Sequence, residues 1–430
     1  SIKWRRYAGR DVIPMWVADM DFAAPPPVLE ALQARVAHGV FGYADPWPFL
    51  VESVQAGIAR DHGWHIEPDW LVWLPGVVTG FNVAVRAVGQ PGDGVFTATP
   101  VYPPFLHAPA NFGQRLVTAP LVHDGRRWGW DWPATEAALA DGVRLFMLCN
   151  PHNPVGRIWR RDELGRIAAL AERHDLVICS DEIHCGLVLD PATPHTPIAA
   201  LGDAVARRTI TLMAPSKTWN IPALYCAFAI IPDAALRARY KRAMAGIVPH
   251  VNVLGLLGAE VAYRDCEPWR QALLATLRGN AARVVEVVNS LPGLATTPVE
   301  ATYLAWIDCR GLLAEGRLGG LQQHGHQRVV LADAAAEVDA GVELLALGRI
   351  VAVQDEPHVG DDAQQVLLVA FVQLRGLLVA AGQQDLGPGA LAEDLLLLAE
   401  GVLEELGVLQ QDEFVELGQV GRVEADRVLD

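Results

Sequence analysis

Residues 209–220 read TITLMAPSKTWN: an apolar β-type run, Thr209 to Met213, breaks into a polar loop that carries Lys217. The same strand-then-loop pattern recurs upstream. Arg144 to Cys149 (RLFMLC) runs into NPHNPVGR, Leu176 to Cys179 (LVIC) runs into SDEIH, and Cys226 to Ile231 (CAFAII) gives a fourth strand. Between the first two, Asp162 to His174 (DELGRIAALAERH) has an acidic start and apolar residues at helical spacing. Strands alternating with helices predict an α/β fold, a mostly parallel sheet with helices on both faces. Ligands of such sheets bind beyond the carboxyl ends of the strands, so three polar loops at three such ends predict a site. A further unit, Trp70 to Leu74 (WLVWL) followed by PGVVTGFNVAVRAVG, reads as strand, glycine turn and helix, whose free N–H groups suit an anion such as phosphate.

Lys3, Lys217 and Lys241 are the only lysines. A lysine is ordinarily a solvated surface group. Lys217 directly follows an apolar strand, where desolvation would lower its pKa and let the amine attack a carbonyl. Its local sequence leaves both readings open. Asp181 emerges from LVICSD and needs a partner there, unless it caps a helix. Asn153 is a donor to a ligand or the side chain of an Asx turn before proline. Tyr102, in TPVYPPF, is a rigid aromatic face for a planar ligand or ordinary packing. Asp181, Glu182 and His184 lack companion histidines or cysteines at ligand spacing, so no metal site is expected. No GxSxG elbow, GxxxxGK[ST] loop or GxGxxG fingerprint occurs.

At 430 residues and 51% hydrophobic content the chain can enclose one large core and a smaller one. Its formal net charge of −16 argues against nucleic acid as a partner, because phosphate binding needs a positive face. That charge is uneven: residues 312–430 hold 21 acidic against 6 basic residues, whereas residues 1–311 are nearly balanced at 29 against 28. All 13 Trp, all 7 Tyr and 9 of 11 Phe also precede residue 312, which sets a compositional boundary near Gly311. SIKWRRY, Ser1 to Tyr7, has no apolar stretch after its basic cluster, and no uncharged apolar run reaches about 18 residues. A soluble, cytoplasmic protein without a membrane partner is expected. The first residue is Ser1 rather than Met, so leading residues are expected to be missing. The cysteines Cys149, Cys179, Cys185, Cys226, Cys266 and Cys309 form no CxxC pair and are expected as buried reduced thiols.

In their order these segments resemble the fold-type I pyridoxal-phosphate superfamily of class I/II aminotransferases, and within it the MalY/PatB-type cystathionine β-lyases. The strings that carry the resemblance are SIKW, PMWVADMDF (Pro14 to Phe22), FGY (Phe41 to Tyr43), LPGVVTGF (Leu74 to Phe81) and PVYPPF (Pro100 to Phe105). NPHNPVGR (Asn150 to Arg157), SDEIH (Ser180 to His184), APSKTWNI (Ala214 to Ile221) and EATYLAWID (Glu300 to Asp308) complete the set. WVADMDF and SDEIH do most to set the lyases apart from ordinary aminotransferases.

The resemblance implies pyridoxal 5′-phosphate bound to Lys217 as a Schiff base, with Asp181 pairing the pyridine nitrogen. It implies Asn153 on the ring hydroxyl with His184 nearby, and Tyr102 stacked over the ring. The amides of Gly76, Val77 and Val78 and the Ser216 hydroxyl would hold the phosphate. Tyr43 would reach the phosphate of a neighbouring subunit in a homodimer, and Trp16 and Asp19 would border an amino-acid substrate. The implied reaction expels a thiol from the β-carbon of cystathionine or another S-substituted cysteine, leaving pyruvate and ammonia. An aminotransferase is the alternative.

The implied organisation is an N-terminal segment, 1–30, joining a small domain, a large cofactor-binding domain over 31–280, the start of the small domain at 281–311, and an atypical acidic tail over 312–430. Two departures from the family pattern stand out. DEIH is followed by Cys185 and Gly186, where a small residue and an acid are usual. An FxRxNxG-like string, whose arginine would grip a substrate carboxylate, is not found; AFVQLRG around Arg375 has different neighbours and spacing. The tail is therefore expected to be frameshifted or replaced relative to the family. A second alternative follows, a catalytically weak cofactor-binding protein with a regulatory role.

Overall fold

Eight strands form the central sheet of the computed structural model: β1 (Leu71–Leu74), β2 (Gly94–Thr99), β3 (Arg115–His123), β4 (Trp128–Trp130), β5 (Val143–Cys149), β6 (Val177–Asp181), β7 (Thr209–Met213) and β8 (Ala227–Ile230). The structure describes residues 1–9, 13–15, 17–140, 142–308, 310–311, 350–351 and 367–371. The spatial order is β1-β8-β7-β6-β5-β2-β3-β4. Pairings β7/β6, β6/β5, β5/β2 and β2/β3 are parallel, whereas β8 is antiparallel to both β7 and β1, and β4 to β3. The expected α/β fold with a mostly parallel sheet is the one observed. Predicted strand limits shift by a residue or two: β6 runs on to Asp181 itself, and a 3-10 turn at Pro68–Trp70 precedes β1.

The principal helices are α1 (Pro26–His38), α2 (Pro48–His62), α3 (Val77–Val88), α4 (Arg161–Arg173), α5 (Ala234–Met244), α6 (Val253–Asp265) and α7 (Glu267–Ser290). Strand β5 shows why they cover both faces. Leu145, Met147 and Cys149 join a core with Phe81, Val85, Leu212 and Tyr240, while the alternating Phe146 and Leu148 join another with Trp159, Ile167 and Ile178. A strand buried on both sides reads as a continuous apolar run, as RLFMLC does. Helix α3 approaches the sheet so closely that a Cβ at Gly80 would lie 2.9 Å from the Leu212 side chain.

A second, three-stranded antiparallel sheet orders β9 (Ala295–Thr296), β10 (Leu304–Asp308) and β11 (Leu367–Phe371), with Leu304 opposite Phe371. Its core joins Leu277, Val284 and Val288 of α7 to Tyr303, Ala305 and Ile307. Ile13–Pro14 pairs in parallel with Ile350–Val351. Two pieces of the compositionally distinct tail thus pair with strands before the boundary; Arg375 lies outside the described residues. Among the described residues no helix is long and apolar enough to cross a membrane, and no cluster of candidate metal ligands occurs.

Candidate active site

Strands β5, β6 and β7 end side by side, with Cys149 opposite Asp181 and Asp181 opposite Leu212. The Asn150 N–H donates to the Asp181 carbonyl at 2.9 Å, and the Glu182 N–H to the Leu212 carbonyl at 2.8 Å, so the three polar loops leave the sheet in register. Tyr102 arrives from the end of β2, the strand beyond β5. Gly76 caps α3 after β1, whose direction matches that of β7, so the helix N-terminus opens at the same end of the sheet.

Asp181 is buried, and its Oδ1 accepts the Ile183 N–H at 3.1 Å. It therefore closes a local turn at a strand end and caps no helix. Burial raises its carboxyl to about 7, against the lowering pull of Ile183 and Lys217. Enclosure of the Lys217 amine lowers it to about 8, while Asp19 and Asp181 pull upward. Its Nζ donates to the Ala18 carbonyl. His184 is buried with its ring edge on Tyr303, and burial and the Lys217 charge push it down to about 3, so its ring is neutral. Its Nδ1 has no hydrogen-bond partner. Tyr102 is raised by burial and by Asp181. Lys217, Asp181, His184, Tyr102 and Asp19 thus act on one another in one cluster.

The other expected residues are distributed around it. Ser216 is buried beside Lys217, and the Asn153 N–H donates to the Cys149 Sγ at 3.3 Å. Val77 is buried and Val78 exposed at the start of α3. Tyr43 stands fully exposed beside exposed Val40 and Phe41 and takes no part in the cluster of its own chain. Trp16 lies outside the described residues. Cys149, Cys179, Cys226 and Cys266 are buried free thiols and Cys185 is half-buried; Cys309 lies outside the described residues. Gly186 has a steric explanation, because a Cβ there would run into the Thr218 side chain next to Lys217.

The family model for aminotransferase class I and II matches residues 10–351. The chain belongs to this family. It is 37% identical over 315 residues to cystathionine beta-lyase PatB of Bacillus subtilis strain 168, covering 72% of this chain and 81% of that protein. Among solved structures, OvoB superposes with a TM-score of 0.71 at 46% identity, over 73% of this chain and 82% of its own. Cystalysin from Treponema denticola, whose structure contains pyridoxal 5′-phosphate, gives a TM-score of 0.76 at 27% identity over 94% and 96%.

Beside this cluster, two residues were not singled out from sequence. Asn220 binds the strip that borders Lys217: its Oδ1 accepts the Met20 N–H, and its Nδ2 donates to the Met20 and Phe22 carbonyls at 2.8 and 2.7 Å. Tyr303 donates its hydroxyl to the Ala18 carbonyl at 2.8 Å. Both lie inside quoted strings, APSKTWNI and EATYLAWID, but their partners are 200 and 285 residues away, so no local pattern marks them.

Proposed function

We propose that this chain is a pyridoxal 5′-phosphate-dependent carbon–sulfur lyase that cleaves cystathionine or other S-substituted cysteines to a thiol, pyruvate and ammonia. The observation that carries the reading is the enclosed Lys217 amine, lowered to about 8, at the shared carboxyl end of β5, β6 and β7 with Asp181 and His184. The donor set fits the cofactor. A buried carboxyl suits a protonated ring nitrogen, the partnerless Nδ1 of neutral His184 suits a ring hydroxyl alongside Asn153, and the α3 N-terminus suits a phosphate.

Lys217 would hold the cofactor covalently, with Asp181 on the pyridine nitrogen and Tyr102 over the ring. Val77 and Val78 N–H groups, the Gly76 turn and the Ser216 hydroxyl would hold the phosphate. When bound, the cofactor supplies an electron sink for the charge left at the substrate α-carbon. Asp181 would maintain that sink by pairing with the protonated ring nitrogen. The Lys217 amine would take the substrate α-proton; lowered to about 8, it is substantially neutral near pH 8 and can accept it. Asp19 and the strip at residues 14–22 border the substrate. Loss of the β-thiolate then leads, with water, to pyruvate and ammonia.

The exposed Tyr43, beside exposed Val40, Phe41 and Phe49, supports a homodimer in which Tyr43 reaches the partner's phosphate site. A division into a large domain over 31–280 and a small domain that 1–30 joins and 281–311 begins fits the two sheets, and a cytoplasmic setting fits the free thiols. The test is incubation with L-cystathionine and no 2-oxo acid. Pyruvate formation that vanishes in Lys217→Ala supports the lyase, whereas strict dependence on a 2-oxo acid would move the assignment to transamination.

A further inference from the structure

The reaction above leaves Tyr303 without a role, yet the fold secures it from several sides. Thr302, which precedes it, is fully buried and left-handed at φ 73°, a conformation rare for a β-branched residue. That turn is anchored by the Thr302 N–H on the Leu187 carbonyl at 3.0 Å and by Glu300 and Ala301 N–H groups on the Gly156 carbonyl at 2.9 and 3.1 Å. Arg157 adds an ion pair to Glu300 at 2.7 Å. The result puts a buried tyrosyl ring against His184 and its hydroxyl on Ala18, whose carbonyl also receives the Lys217 amine.

We infer that Tyr303 is a positioning residue for Lys217, holding the Ala18 carbonyl where the lysine amine donates to it. This rests on the reading of Lys217 as cofactor anchor and proton carrier. A hydrogen bond from the amine to a fixed oxygen sets rotation about the Cε–Nζ bond and so aims the nitrogen lone pair. Asn220 and Lys3 hold the same strip at other points, Asn220 at Met20 and Lys3 through Asp21 at 2.6 Å and the Asp19 carbonyl at 3.2 Å. Besides Lys217, Tyr303 reaches the Ala18 oxygen itself.

The test is Tyr303→Phe, which keeps the ring in its core and removes only the hydroxyl. Competitive acetylation of the cofactor-free full chain across pH, read by peptide mass spectrometry, gives the titration midpoint of Lys217, with exposed Lys241 as reference. If the carbonyl drifts, the buried ammonium loses an acceptor, and the midpoint falls by about one pH unit. A midpoint that is unchanged or raised would overturn the inference. In the reconstituted enzyme, exchange of the α-proton of L-alanine with deuterated solvent should slow about tenfold at saturation, with the KM for alanine within about twofold. Equal exchange in both proteins would overturn it too. The acetylation result needs no cofactor, so it stays readable even if the chain fails to bind pyridoxal 5′-phosphate.

Discussion

Asn220 and Met20 exchange two hydrogen bonds across 200 residues of chain: the Met20 N–H donates to Oδ1 at 2.9 Å and Nδ2 donates back to the Met20 carbonyl at 2.8 Å. The side chain thereby acts as a short strand partner for the strip that overlies Lys217. Asn220 itself sits at φ 54°, a left-handed conformation that asparagine tolerates better than most residues.

Asn220→Ala removes three neutral hydrogen bonds and leaves the left-handed backbone to a residue less suited to it. Stability should fall by about 1–3 kcal/mol, read as a lower thermal midpoint. Because the strip borders the site, cofactor affinity should fall with it, measured by equilibrium dialysis of pyridoxal 5′-phosphate. A variant with wild-type melting and retention would show that the strip is held without Asn220.

Arg157 is buried, with Glu163 on one side at 2.8 Å and Glu300 on the other at 2.7 Å, and its Nε donates to the Trp128 carbonyl at 2.7 Å. It ties the Asn150–Arg157 loop to the segment leading into β10. Arg157→Met leaves two carboxylates facing each other without their shared cation, and a loss of about 3 kcal/mol is expected in urea unfolding. Arg127, which also reaches Glu300, limits that loss.

The rate of cofactor capture should follow the neutral fraction of Lys217. A lysine at its ordinary 10.5 would show a rate still climbing above pH 10, whereas enclosure here brings the midpoint to about 8. Asp19→Asn removes the larger of the two charges that pull this amine upward, so its midpoint should move below 8. Stopped-flow absorbance of the cofactor-free chain mixed with pyridoxal 5′-phosphate measures both, and a midpoint above 10 in the wild type would contradict the burial argument.

His62 and His184 are lowered from 6.5 to about 3 and His152 to about 4, burial being the first cause in each. In the unfolded chain these rings gain protons as pH drops through 6.5, while the folded rings stay neutral until about 3 to 4. Their contribution to stability is therefore present above 6.5 and is lost as pH falls toward the folded values. Asp181 works in the opposite sense, since its folded carboxyl is protonated below about 7 and its unfolded one only near 3.8. The cofactor-free protein should lose thermal stability from pH 6.5 to 4, and His62→Gln should flatten that slope by about one proton.

The fold was largely legible because its central strands are buried on both faces and their loops are polar. TITLM, RLFMLC and LVIC each became β7, β5 and β6 with limits changed by no more than two residues. Lys217 and Asp181 were legible as candidates for the same reason, since a charge at the end of an apolar run stands out, whereas His184 came only with the family resemblance. Tyr303 and Asn220 were not, because a tyrosine leading into an apolar run and an asparagine in a loop have ordinary uses, and their partners lie far away in sequence.

Sequence alone determined that a lysine, an aspartate and an asparagine stand at the ends of three apolar strands, since hydrophobic period and polar breaks act over a few residues. Only the tertiary structure decided that the Ala18 carbonyl lies between Tyr303 and Lys217 and that Asn220 clamps Met20. Those contacts depend on how the N-terminal strip, the β7 loop and β10 converge. That convergence follows from the packing of whole layers and is written in no short stretch of the chain.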